Sequence, residues 1–317
     1  MNERRRWSVL AAVVAVAAGA GALNAAFPRN APSTTTSTLA SPPSVGLQQA
    51  ASTAWYCAGP LPVGPQSQVG SIAIANLLRH SLRGSVQVVR TSGASVTDPV
   101  EVPARSQVVV PLPRTGPSVY AAATVLLDGD GAAVEQIASG PSGTATSACA
   151  DAPASTTYFP AGSTLGASNL NLALFNPSAT PAVASVAVST GSTSVAPPAL
   201  QDLSVGAGQL VVLDVGHQVP QQDVIATTVT TSGGELVTGG MLVFPRHGGG
   251  VTEALTTGTA TGARRWLFGP APGGPGVHEV YAVLDPGSSP VPVVLHLGSG
   301  SATASSSLQA VVPAGGV

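Results

Sequence analysis

Two cysteines, Cys57 and Cys149, are the thiols of this 317-residue chain. Two sulfur ligands alone make a poor structural zinc site, which takes four protein ligands. If the chain enters an oxidising compartment, the expected chemistry is a disulfide between them, with two free buried thiols as the bland alternative. The run Asp128-Gly129-Asp130-Gly131 alternates carboxylates as the start of a calcium loop does. A helix-loop-helix site would need further oxygen ligands ending in a glutamate, yet Ala132, Ala133 and Val134 follow at once. A hairpin turn is the expectation there. His80, His217, His247, His278 and His296 stand in unrelated contexts, and Gly140-Pro141-Ser142-Gly143 lacks the strand-turn-helix setting of a nucleophile elbow. No catalytic residue, metal ligand or cofactor site is expected, and an enzyme is not.

Composition supports this. Charged residues make up 8% of the chain, against about 25% in ordinary soluble domains, while hydrophobic residues make up 44%. All 12 basic residues are arginine and the net charge is -2. There is no basic stripe to follow a phosphate backbone, so nucleic acid is excluded as a partner.

The N-terminus indicates where the chain works. Arg4, Arg5 and Arg6 precede an uncharged apolar run, residues 8–27, long enough to span about 30 Å of hydrocarbon as a helix. Segment 1–27 is expected to be a signal peptide or a signal anchor, with the arginines on the cytoplasmic side. Ala20-Gly21-Ala22 suits a peptidase, and the length of the run suits a retained anchor, so both stay open. Residues 28–54 are rich in Ser, Thr and Pro and too poor in apolar side chains to fold alone. A disordered stalk is expected, with O-glycosylation of its Thr run as the alternative to a plain linker.

Beyond it the period is two. Val86 and Val88, then Val108, Val110 and Leu112, fall on one face of extended segments, as do Val186 and Val188. Asp128-Gly129, Asn176-Pro177, Ser232-Gly233-Gly234 and Asp285-Pro286 punctuate these runs as turns. The pattern predicts an all-β chain of antiparallel sheets. It also recurs. TAWYCAGP at 53–60 returns as TTYFPAGS at 156–163 and RRWLFGPA at 264–271. Asn76, Asn176 and Asp285 mark a second landmark, and Val102-Pro103-Ala104, Val205-Gly206-Ala207 and Val312-Pro313-Ala314 a third. A period of about 100 residues suits a complete sandwich of about seven strands. Tandem immunoglobulin-like or fibronectin-like sandwiches with separate cores are expected at 55–150 and 151–260, with a partial one at 261–317. In this alignment Trp55, Tyr158 and Trp266 are equivalent core aromatics. Tyr120 and Tyr281 are expected within strands. The third unit is expected to be the least stable folded segment, with an unpaired sheet edge. Either the chain is a fragment, or a partner completes that unit by strand addition.

The aromatic-aromatic-x-Ala-Gly opening, LNLALFNPSATPAVASVAV at 170–188 and VPARSQVVV at 102–110 together resemble repeats of an actinobacterial exported protein family of unknown function. The resemblance covers about residues 53–317 and implies a cell-envelope location and no catalytic residues. Related surface-protein repeats carry an acidic residue in the opening motif, where this chain has Gly59 and Gly162. With first and last strands of a sandwich brought near each other, Cys57 and Cys149 are expected to pair. Closing that loop would stabilise the repeat by about 4 kcal/mol in a chain-entropy treatment. The reading is a non-enzymatic exported or membrane-anchored cell-envelope protein of structural or scaffolding type. The alternative is an extracytoplasmic binding module for cell-wall glycan or envelope proteins. Few aromatics remain for loop tips on this reading, which favours the structural account.

Overall fold

A computed structural model describes residues 53–63, 69–113, 120–141, 143–245, 250–269, 280–298 and 305–317. The apolar segment 1–27 lies outside the described residues, as does the stalk except Thr53 and Ala54, which already belong to the first strand. The described residues are nearly all β, arranged in several antiparallel sheets. The first repeat comprises β1 (Thr53–Pro62), β2 (Val69–Asn76), β3 (Leu82–Arg90), β4 (Ser95–Val102), β5 (Gln107–Pro111), β6 (Tyr120–Leu127), β7 (Ala132–Gly140) and β8 (Gly143–Ala148). They form two sheets, ordered β1-β6-β3-β4 and β5-β2-β7-β8. The alternating residues that predicted the strands enter one shared cluster: Ile72 and Ile74 from one sheet meet Val86, Val88 and Val125 from the other.

The second repeat reproduces this plan. Its strands are β9 (Thr156–Gly162), β10 (Asn169–Phe175), β11 (Ala182–Thr190), β12 (Thr193–Val195), β13 (Leu203–Val205), β14 (Leu210–Asp214), β15 (Ile225–Ser232), β16 (Val237–Pro245) and β17 (Val251–Thr257). One sheet runs β12-β11-β15-β9, with β13 also on β11, and the other β14-β10-β16-β17. In an immunoglobulin constant-type sandwich the second strand pairs with the first and fifth, and the sixth with the third and seventh. Here β2 pairs with β5 and β7, and β6 with β1 and β3, so the first and seventh strands have exchanged sheets.

The two repeats do not have separate cores. The side of β1, β3 and β6 turned away from the first cluster carries Ala58, Val89 and Ala122, and these pack on Ala173, Phe175, Leu210 and Val237 of the second repeat. Met241 and Leu255, also from the second repeat, enter the first repeat's own cluster. Sheets of both repeats thus stack in four layers. Small residues on the inner layers make this possible, because two sheets approach closely only where side chains are short. At Gly239 the approach is backbone on backbone: a Cβ placed there would run into the Gly59 carbonyl oxygen.

The third repeat has β18 (Val291–Gly298) and β19 (Ser305–Val312), which pair only with each other among the described residues. Tyr281, expected in a strand, lies in an irregular stretch before Asp285.

Candidate functional site

The recurring landmarks are corners in which a buried side chain organises backbone. Asn76 donates through Nδ2 to the carbonyls of His80 (2.8 Å), Val102 (3.0 Å) and Pro103 (3.1 Å), and its Oδ1 accepts from the Leu78 N–H (2.9 Å). Asn176 repeats the arrangement on Thr180 (2.8 Å) and Val205 (3.0 Å), accepting from Ser178 (3.0 Å). An amide is suited to this place because it donates and accepts at once. The residue after each Val-x-Ala landmark, Arg105, Gly208 or Gly315, adopts a left-handed conformation with φ of 51°, 62° and 65°. In the third corner the Asp285 N–H donates to Gly316 O (3.1 Å) and its Oδ1 accepts from Gly287 (2.9 Å). A carboxylate has no N–H to offer the carbonyls, and Asp285 Oδ2 is buried without a partner among the described residues.

The opening stretches align one residue away from the register their aromatics suggest. Tyr56 exchanges backbone hydrogen bonds with Ala150 (2.8 and 2.9 Å), and Tyr158 does so with Thr259 (2.9 and 3.1 Å). Tyr158 is therefore the counterpart of Tyr56, and Trp55 is only partly buried, its Nε1 lacking an acceptor among the described residues. The next inward position holds Cys57 in the first repeat and Phe159 in the second, both buried. Across from them stand Cys149 and Gly258. Cys57 and Cys149 form a disulfide with a Cα–Cα distance of 4.5 Å. A Cβ on Gly258 would come within 2.8 Å of Phe159 Cζ, so the ring occupies the room that the second cysteine fills in the first repeat.

At the seam a polar thread links the repeats. Gln136, fully buried, accepts from the Gly59 N–H through Oε1 (2.9 Å) and donates through Nε2 toward Thr257 Oγ1 (3.4 Å). Thr257 also meets Ser147 Oγ at 3.0 Å and donates to the Ala148 carbonyl. Tyr120, on β6, is close enough to feel the second repeat: burial first, then the negative charges of Glu253 and Asp214, raise its phenol above the ordinary tyrosine range.

The remaining sequence candidates do not converge. Asp128 lies in the β6–β7 turn, where Oδ1 accepts from the Arg83 N–H (2.7 Å). His80 is in a loop, His217 in the helical turn Val215–Gln218, and His296 on exposed β18, while His247, His278 and Ser142 lie outside the described residues. Trp266, expected in a core, is 54% exposed, and Phe268 is also exposed, meeting Tyr281 edge to face with centroids 5.0 Å apart.

A family of unknown function (DUF5719) matches residues 131–239. The match begins just before β7 and ends within β16, the equivalent strand one repeat later, so it covers one repeat length in an offset frame. No curated protein matches the chain.

Proposed function

We propose that this chain is a non-enzymatic, exported or membrane-anchored cell-envelope protein of structural or scaffolding type. Its repeats are immunoglobulin-like in layering, and their kinship lies with the actinobacterial exported proteins their motifs resemble. The observation that carries the reading is the stacked seam, in which Ala58, Ala122, Ala173 and the Gly59–Gly239 contact fix one repeat on the next. A spacer that presents something at a set distance needs that rigidity between modules, whereas independently hinged modules would not supply it. The disulfide fits an oxidising location. The arginines and apolar run at the N-terminus fit delivery there. The test is protease shaving of intact cells that express the full chain, followed by thiol labelling of the denatured, unreduced protein. Surface-accessible protein with neither cysteine labelled is expected. Protein protected until lysis, with two free thiols, would overturn the location.

A second reading, a binding module for cell-wall glycan or protein ligands, is favoured by the exposed Trp266 and the Phe268–Tyr281 pair, since a sugar's apolar face stacks on such rings. Sedimentation of the full chain with purified cell-wall polysaccharide, compared with Trp266→Ala, tests it. Binding lost in the variant supports this reading, and no binding by either removes the glycan.

A further inference from the structure

We propose that the third corner binds a hard cation, held by the Asp285 carboxylate and the backbone carbonyls of Ser289 and Val312. This inference goes beyond the scaffolding role and does not depend on where the protein resides.

The corner keeps the frame of the first two. Asn76, Asn176 and Asp285 stand at one spacing before Leu82, Ala182 and Val291, and these pair with Val102, Val205 and Val312. The backbone closes alike, the N–H of Asn76, Asn176 and Asp285 donating to the carbonyls of Ser106, Gln209 and Gly316 at 2.8, 2.9 and 3.1 Å. The side chain is anchored alike as well. In each, Oδ1 accepts from the N–H two residues on, that of Leu78 (2.9 Å), Ser178 (3.0 Å) or Gly287 (2.9 Å). Both side-chain ends are planar, so with Oδ1 fixed, Oδ2 of Asp285 takes the place that Nδ2 has in the asparagines. There Nδ2 donates to the carbonyls of His80 and Val102, or of Thr180 and Val205. Ser289 and Val312 hold those positions in the third corner.

What the corner needs is thereby reversed. An amide nitrogen brings hydrogens to the carbonyls, whereas a carboxylate oxygen brings only lone pairs, so oxygens face oxygens. Asp285 is 8% exposed, and its Oδ2 is buried without a partner among the described residues. No arginine answers its charge there: past Arg265, no other Asp, Glu, Lys or Arg is among the described residues. A buried carboxylate without a counter-charge is strongly disfavoured. A cation supplies what the carboxylate and the carbonyls both lack.

The donors give the class of ion. Oxygen ligands alone, with neither nitrogen nor sulfur, select a hard cation. Sodium balances the single negative charge, and calcium accepts a flexible oxygen shell that water can complete from the exposed stretch 286–290. Magnesium demands a near-ideal octahedron and sheds its waters reluctantly, so it fits this corner poorly.

The test is hydrogen exchange of the full chain at constant pH and ionic strength, in choline chloride with a chelator, in sodium chloride, and in choline chloride with calcium or magnesium. With sodium or calcium at about ten times its dissociation constant, amides of β18 and β19 should exchange about tenfold more slowly than in choline. Those of β2 and β10, whose corners carry their own N–H groups, should not respond, and magnesium should do little. The arm that responds identifies the ion. Asp285→Asn brings its own donors, so it should exchange slowly in choline already and ignore every ion, a loss of response that unfolding cannot explain. Equal exchange of the native chain in choline, sodium and calcium, the result if a proton neutralises the carboxylate instead, would overturn the proposal. So would an ion response that survives in Asp285→Asn, or magnesium acting as strongly as calcium, since both report general charge effects.

Discussion

Asn76 and Asn176 each place a side-chain amide where several carbonyls converge, and Asp285 places a carboxylate in the matching corner. Replacing Asn176 by alanine takes the amide donor from the buried Val205 carbonyl, while the Thr180 carbonyl keeps the Ser178 hydroxyl. At about 1–3 kcal/mol for a buried orphan, denaturant unfolding should show a loss of that size. Asp285→Asn does the reverse. It supplies the missing N–H groups, and hydrogen exchange across β18 and β19 should slow by the equivalent of about 1–2 kcal/mol. Arg105 holds a left-handed conformation that Gly208 and Gly315 adopt in the other two corners. Its side chain is exposed, so Arg105→Gly removes the steric cost of about 1–2 kcal/mol, offset in part by glycine's greater freedom when unfolded. A small rise in the unfolding midpoint is expected, and a fall would show that the arginine makes a contact worth more than the strain.

At the scale of strands, one face of β16 joins the repeats: Val237, Gly239 and Met241 all turn toward the first repeat. Gly239→Ala drives a methyl into the Gly59 carbonyl, and neither backbone can yield without moving its sheet. A destabilisation at or above the usual 1–3 kcal/mol of overpacking is expected in thermal unfolding. The strands themselves were legible from alternation: Val86, Val88, Val186 and Val188 are buried where period two places them. The seam was not. Alternation assigns one face inward and says nothing about the other, where Ala58, Ala122 and Ala173 stand. The signal lay in β6, whose Ala121-Ala122-Ala123 run breaks the alternation as strands covered on both faces do. The aromatic motif misled by one position because Trp55 and Tyr158 look alike in sequence, whereas the pairing of Tyr56 with Ala150 and Tyr158 with Thr259 fixes the register. Asn-Pro marked a turn correctly, but a turn signal alone does not reveal an amide holding buried carbonyls.

For the molecule as a whole, the shared clusters change what a local lesion does. With separate cores, loss of the disulfide would touch the first repeat alone. With Met241 and Leu255 lodged in the first repeat's cluster, Cys57→Ser should lower one common unfolding transition, seen alike by hydrogen exchange in β2 and in β10. Independent transitions would show the seam to be weak. The seam should also respond to alkali. Tyr120 ionises less readily folded than unfolded, so above the unfolded phenol range of about 10 the unfolded chain holds fewer protons and stability falls as pH rises. Tyr120→Phe should flatten that decline.

The exchange of Cys57–Cys149 for Phe159–Gly258 has a consequence for the order of assembly. The second repeat closes its core with a ring and needs no oxidant, so its sheets can form before any sulfur is oxidised. Once formed, it presents Val237, Gly239 and Met241 as a ready surface on which β1 can settle. That docking holds Cys57 in place for Cys149, which makes the C-terminal neighbour a template for the bond that precedes it in the chain. Oxidative refolding of the Gly239→Ala chain should accordingly form the Cys57–Cys149 bond more slowly than the native chain does.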